Sequence, residues 1–151
     1  MPESESRQIP SEPPAAAVTA CSVGIDVAKA WLDIAVRPSG TTWRTANAET
    51  DLPELVERVR RVEPVLVVLE ATGSYERVVV ALLATARLPV AVVNPRQVRD
   101  FAKATGRLAT TDRLDAGVLA HFAQAVRPQP ARCPTSRPRR WARWWNGAIR
   151  W

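Results

Sequence analysis

The chain has 151 residues, 46% of them hydrophobic, and a formal net charge of +6. That length holds one domain of ordinary size with a real core. Two distant cysteines, Cys21 and Cys133, exclude a disulfide framework or a zinc cluster and predict a reducing, cytoplasmic setting. No apolar run reaches the length of a membrane span, and the acidic, proline-bearing start is unlike a signal peptide.

The charge is unevenly placed. Residues 1–20 carry three acids and one Arg, whereas residues 127–151 carry seven Arg and no acid. The stretch between them has thirteen bases and twelve acids, so its charges have to be read locally.

Residues 1–20 are rich in Pro, Ser, Glu and Ala without an apolar period, which predicts a disordered lead. In Ser22-Val23-Gly24-Ile25-Asp26-Val27, apolar residues alternate with Gly24 and Asp26, the period of a strand. Trp31 to Val36 alternates again, Pro38-Ser39-Gly40 reads as a turn, and Thr41 to Ala46 is a third short strand. The three form an antiparallel meander, with Asp33 on the solvent face of its second strand. Thr50-Asp51-Leu52-Pro53-Glu54 opens a helix with a hydroxyl or carboxyl cap and an apolar stripe of Leu52, Leu55, Val56, Val59 and Val62. Pro64 ends it. Val65 to Leu69 is a continuous apolar run, the look of a strand covered on both faces. Ser74 is the expected cap of a helix to about Arg87, Leu88 to Val93 is the last strand, and Asn94-Pro95 starts a helix that Gly106 breaks. Thr110 or Thr111 is expected to cap the final helix, to about Val126. Three strands, helix, strand, helix, strand and helices make an α/β domain with a mixed sheet flanked by helices, over residues 21–127. Residues 128–151 form an irregular basic, Trp-rich tail.

Four acids draw attention. Asp26 lies inside an apolar strand, where a carboxylate calls for a cation. Glu70 closes a buried strand, and crevices beyond the carboxyl ends of parallel strands bind ligands. Asp112 and Asp115 are three apart at the expected start of the last helix and so point the same way, although acids in a first turn also suit the helix dipole. Converging, the four would repel one another without cations between them. An all-oxygen set suits magnesium or manganese (Mg2+ or Mn2+), and two such ions activate a nucleophile and stabilise a leaving oxygen at a phosphodiester. Arg96, Arg99, Lys103 and Arg107 follow helical spacing, with Val98, Phe101 and Ala102 on the other side. They read as a solvated face or as a phosphate-contacting ridge, to which Arg113 could belong. The single His121 reads as structural.

Four segments taken in series resemble one family. They are Gly24-Ile25-Asp26-Val27-Ala28-Lys29, Glu70-Ala71-Thr72-Gly73, Asn94 to Lys103 (NPRQVRDFAK), and Thr111-Asp112-Arg113-Leu114-Asp115-Ala116. They are similar, in order and spacing, to the N-terminal domain of the insertion sequence 110 family of DEDD transposases. The resemblance implies an RNase H-like (RuvC-like) fold and an acidic tetrad of Asp26, Glu70, Asp112 and Asp115 holding a divalent metal. It also implies DNA recombination directed by a structured bridge RNA that serves as guide, assembly as a homo-oligomer, and a bacterial, nucleoid-associated location. Thr110 stands where the family often has Lys.

In the family a C-terminal domain supplies a nucleophilic serine, and Ser136 in the Arg/Pro-rich tail matches no such motif. Four of the six Trp lie from Trp141 onward. Read one base earlier, plausible GC-rich codons there give a helix-forming sequence, and 19 Arg against 2 Lys fit a GC-rich gene. The expectation is a frameshifted tail and a truncated transposase. The competing expectation is a non-catalytic nucleic-acid-binding remnant or regulator of a full-length transposase. A sugar-kinase or actin-like ATPase ranks last, for want of a second lobe and glycine-rich phosphate loops.

Overall fold

The computed structural model of the chain describes residues 20–107 and 115–130. The lead, Thr110, Thr111, Asp112, Arg113, Ser136 and the Trp-rich tail lie outside them. The elements are β1 (Ser22–Val27), β2 (Trp31–Arg37), β3 (Thr42–Ala46), α1 (Leu52–Arg61), β4 (Leu66–Glu70), α2 (Glu76–Thr85), β5 (Val90–Val93), α3 (Pro95–Ala104) and α4 (Ala116–Val126). The strands form one sheet in the order β3-β2-β1-β4-β5. β1, β2 and β3 pair antiparallel as the meander requires, whereas β1 with β4 and β4 with β5 are parallel.

Strand alternation sends the two halves of each strand into different cores. Val23, Ile25, Val27, Leu32, Ile34, Val36, Val67 and Leu69 join Leu52, Leu55 and Val59 of α1 and Val79, Val80 and Leu83 of α2 in one cluster. Leu66, Val68, Ala91 and Val93 join Val98 and Ala102 of α3 and Val118, Leu119, Phe122 and Ala123 of α4 in the other. β4 is therefore covered on both sides, which is why it reads as unbroken apolar sequence. Fully burying one such Ile or Leu side chain is worth about 1.5–3 kcal/mol.

The meeting of α4 with the sheet depends on Gly24. A Cβ there would run into the backbone carbonyl oxygen of Ala116 and the amide nitrogen of Ala120. Ala35, Ala116 and Ala120 complete this contact with small side chains. Only glycine lets the first turns of the helix rest on β1 so closely.

Three expected caps turn out differently. Asp51 is the N-cap of α1 but makes no side-chain cap bond, because its backbone is already α-helical (φ −98°, ψ −20°). Tyr75, not Ser74, is the N-cap of α2, and it too makes no side-chain cap bond. The last helix begins at Ala116, several residues later than a Thr110 or Thr111 cap would give, with Asp115 as its N-cap. Asn94 does cap α3: its side chain accepts from the Arg96 amide at 2.8 Å. Gly106 ends that helix with a φ of +69°, a conformation that favours glycine.

Candidate active site

Two of the four expected acids stand side by side at one edge of the sheet. The β1–β4 register runs from Ser22 opposite Leu66 to Ile25 opposite Leu69. Asp26 and Glu70 are the next residues on these two parallel strands. By alternation both lie on the face of Gly24 and Val68, the α3/α4 side, and both are half-buried. Glu70 also pairs with Val93, the last residue of β5, and the Ala71 amide donates to the Val93 carbonyl at 3.1 Å. The acids thus sit at the carboxyl ends of parallel strands, the edge where α/β sheets bind ligands.

Asp115 arrives from above. The contact of Gly24 with Ala116 brings the start of α4 down onto β1 two residues before Asp26. Asp115 is extended (φ −123°, ψ 171°), and its Oδ1 accepts from the Val118 amide at 2.8 Å, the geometry of an N-cap. Asp115 thus precedes α4 as its N-cap rather than lying within its first turn, and Asp112, expected to share its face, lies outside the described residues. Among the described residues no three His, Cys, Asp or Glu side chains gather closely enough to hold a metal ion.

The basic residues of α3, and Arg107 just past its end, are exposed as the spacing predicts. Arg96, Arg99, Lys103 and Arg107 are exposed, while Val98 and Ala102 are buried. The helix starts directly after β5, so Arg96 lies close in sequence to the Glu70 edge. Arg113 lies outside the described residues. His121 is structural in its contacts: its ring meets Phe101 edge-on with centroids 4.9 Å apart. Burial pushes its pKa down, and the charges of Arg37 and Arg107 push it the same way.

Two residues at this edge escaped sequence reasoning. Glu76, in the first turn of α2, is buried, with only 2% of its surface exposed. Its Oε2 accepts from the Thr72 hydroxyl at 2.8 Å and from the Thr72 amide at 3.3 Å, which ties down the loop that follows Glu70. No local pattern announces this: Tyr75 is the N-cap, and the four-residue spacing from Thr72 to Glu76 is not that of a capping box. The other is Asp33, whose cross-strand partner is Asp26. Two carboxylates directly opposite each other are unfavourable. Arg44 offsets this: its Nε donates to Asp33 Oδ1 at 2.7 Å and its Nη2 to Oδ2 at 3.0 Å. The hydrogen bond to Asp33, then the charge of that carboxylate, raises the Arg44 pKa, and Asp26 adds a smaller push in the same direction.

Comparison with known proteins bears on the family and the fold. A family model described as a transposase, of the DEDD insertion sequence 110 type, matches residues 23–140. No curated protein matches the chain. Among solved structures it is similar to Thermus thermophilus RuvC in complex with a Holliday junction substrate, with a TM-score of 0.55 and 16% identity, covering 74% of this chain and 99% of that one. A second Thermus thermophilus RuvC structure gives a TM-score of 0.50 and 17% identity, with the same coverage of 74% and 99%. The mixed sheet is the expected RNase H-like, RuvC-like α/β fold. Among the described residues no helix is long and apolar enough to cross a membrane. With its model matching most of the sequence from Val23 onward, the chain belongs to the DEDD transposase family of insertion sequence 110.

Proposed function

We propose that the chain is the metal-dependent nucleic-acid-cutting domain of a DNA transposase, with Asp26, Glu70, Asp112 and Asp115 as the ligands of Mg2+ or Mn2+. The observation that carries this reading is the placement of Asp26 and Glu70 at adjacent carboxyl ends of parallel strands, beneath the start of α4. Their chemistry fits the group: carboxylate oxygens only, the donor set of hard divalent cations. When bound, such ions make an attacking oxygen more nucleophilic and stabilise the leaving oxygen of a phosphodiester. In this scheme Asp26 and Glu70 supply fixed negative charge from rigid strands. Asp115 keeps one oxygen on the Val118 amide, which fixes the direction of the other. Glu76 holds the loop behind Glu70. Arg96, Arg99, Lys103, Arg107 and Arg113 contact phosphates of the nucleic acid. The DNA partner is supported by family membership and by the fold shared with a RuvC whose structure contains a Holliday junction. A bridge RNA as guide and a homo-oligomeric assembly rest on the family resemblance.

A second reading is a non-catalytic nucleic-acid-binding module that regulates a full-length transposase, which the exposed basic face of α3, with Arg96, Arg99 and Lys103, fits equally well. Cleavage of branched and single-stranded DNA in Mg2+ separates the two. Metal-dependent nicking that falls at least a thousandfold in Asp26→Asn, with the melting temperature unchanged, supports the enzyme. Metal-independent binding without any nicking supports the module.

A further inference from the structure

The turn end of the β1–β2 hairpin carries features that the acids and the α3 ridge do not use. Trp31, the first residue of β2, is 51% exposed. Asp33 and Arg44 are cross-strand partners, as are Trp31 and Ala46. Trp31 and Arg44 therefore occupy diagonal positions on one face, within reach of each other. Asp26 is the partner of Asp33 on the other side, so Trp31 is also a diagonal neighbour of Asp26. The first turns of α4 cover Gly24 and Ala35 on this face. Trp31, Asp33 and Asp26 lie beyond the helix start. Lys29, in the turn between β1 and β2, is exposed. Arg44 spends two of its N–H donors on Asp33 and has three more to offer.

The chemistry of this patch selects its occupant. A protein partner would call for a contiguous apolar surface, but on this face Trp31 is surrounded by Asp33, Ala46 and Arg44. An exposed indole flanked by two cations is instead the pattern that holds an unpaired base against a ring and its phosphates against charge. The position fixes which strand. On the reading of Asp26 as a metal ligand, the strand beside it is the DNA being cut. We propose that Trp31, Lys29 and Arg44 form a nucleotide subsite: Trp31 stacks on one unpaired base of the DNA strand led to Asp26, and Lys29 and Arg44 contact its phosphates. This rests on the function proposed above.

Fluorescence anisotropy with a short labelled oligothymidylate, in EDTA, tests it without requiring cleavage. Trp31→Ala is expected to weaken binding about tenfold or more, and Trp31→Phe by no more than about threefold. Affinity for duplex DNA, which offers no free base, stays the same in both. Lys29→Gln is expected to lower the slope of affinity against salt by about one phosphate contact. This measurement stands even if Trp31→Ala fails to fold. Single-strand affinity unchanged in Trp31→Ala, or an unchanged salt slope in Lys29→Gln, overturns the subsite while leaving the proposed function intact. A chain that binds no DNA in any form overturns both. Tighter Trp31-dependent binding of the matching oligoribonucleotide overturns the assignment to DNA.

Discussion

On β1, Val23, Ile25 and Val27 enter the core beneath α1 and α2, whereas Ser22, Gly24 and Asp26 face α4. One six-residue strand thus supplies two surfaces with different tasks. The first is filled by interdigitated aliphatic side chains, and its contribution is burial. The second has no side chain at Gly24, which lets a helix start come close, and then a carboxylate at the place where that helix start ends. Across the sheet the contrast repeats: Leu32 and Ile34 go to the aliphatic core, while Trp31 and Asp33 line the face beside Asp26. On the proposed function, stability and chemistry are separated by alternation, not by distance, so neighbouring residues should respond to substitution in different ways.

The sharpest contrast is between Gly24 and Ile25. Gly24→Val forces a side chain into the Ala116–Ala120 backbone. It should cost about 3 kcal/mol or more in a denaturant melt and remove DNA cleavage beyond what lost folding explains, because α4 carries Asp115 with it. Ile25→Val, one residue along on the aliphatic face, should cost about 1 kcal/mol and leave activity per folded molecule unchanged. Equal losses of specific activity in the two variants would break the division between faces.

Glu76 comes next. Glu76→Ala strips the Thr72 amide and hydroxyl of their buried acceptor and should destabilise by about 2 kcal/mol. Glu76→Gln keeps an acceptor and should lose less in the same melt. If Glu76 acts by holding the Glu70 loop, the Ala variant should also need more Mg2+ for half-maximal cleavage, with Gln restoring most of the difference.

Arg44→Ala should barely move the melting temperature, since exposed ion pairs contribute little. It leaves Asp33 facing Asp26 without its partner, so its signature is a stronger dependence of metal activation on salt. The smallest effect is expected at His121. Folding holds its pKa below the ordinary 6.5, so the unfolded chain takes the proton first. Stability present above pH 6.5 is then lost as the pH falls toward the folded-state value. Denaturant midpoints measured from pH 8 down to pH 5 should fall less steeply in His121→Gln.

Much of this was legible in the residues. The alternation in β1, the two-sided apolar run of β4, the Asn94-Pro95 start of α3 and the exposure of its Arg and Lys residues all follow from local periodicity and capping chemistry. The caps at Ser74 and at Thr110 or Thr111 did not, because several polar residues compete locally and packing chooses among them. Glu76 stood out in no sequence pattern, since an acid in a first helical turn is ordinary, and only its burial and its bonds to Thr72 set it apart. Asp33 looked like a residue in solvent, and nothing local says that its neighbour across the strand is Asp26.

The sequence by itself determined the fold class and the family, because strand and helix periods and the four ordered motifs are written along the chain. Only the tertiary structure decided which acids meet. Strand order and register bring Asp26 beside Glu70 and opposite Asp33, and a missing Cβ at Gly24 decides where α4 begins its contact. Those are relations between distant segments, set by packing energies that no single segment contains.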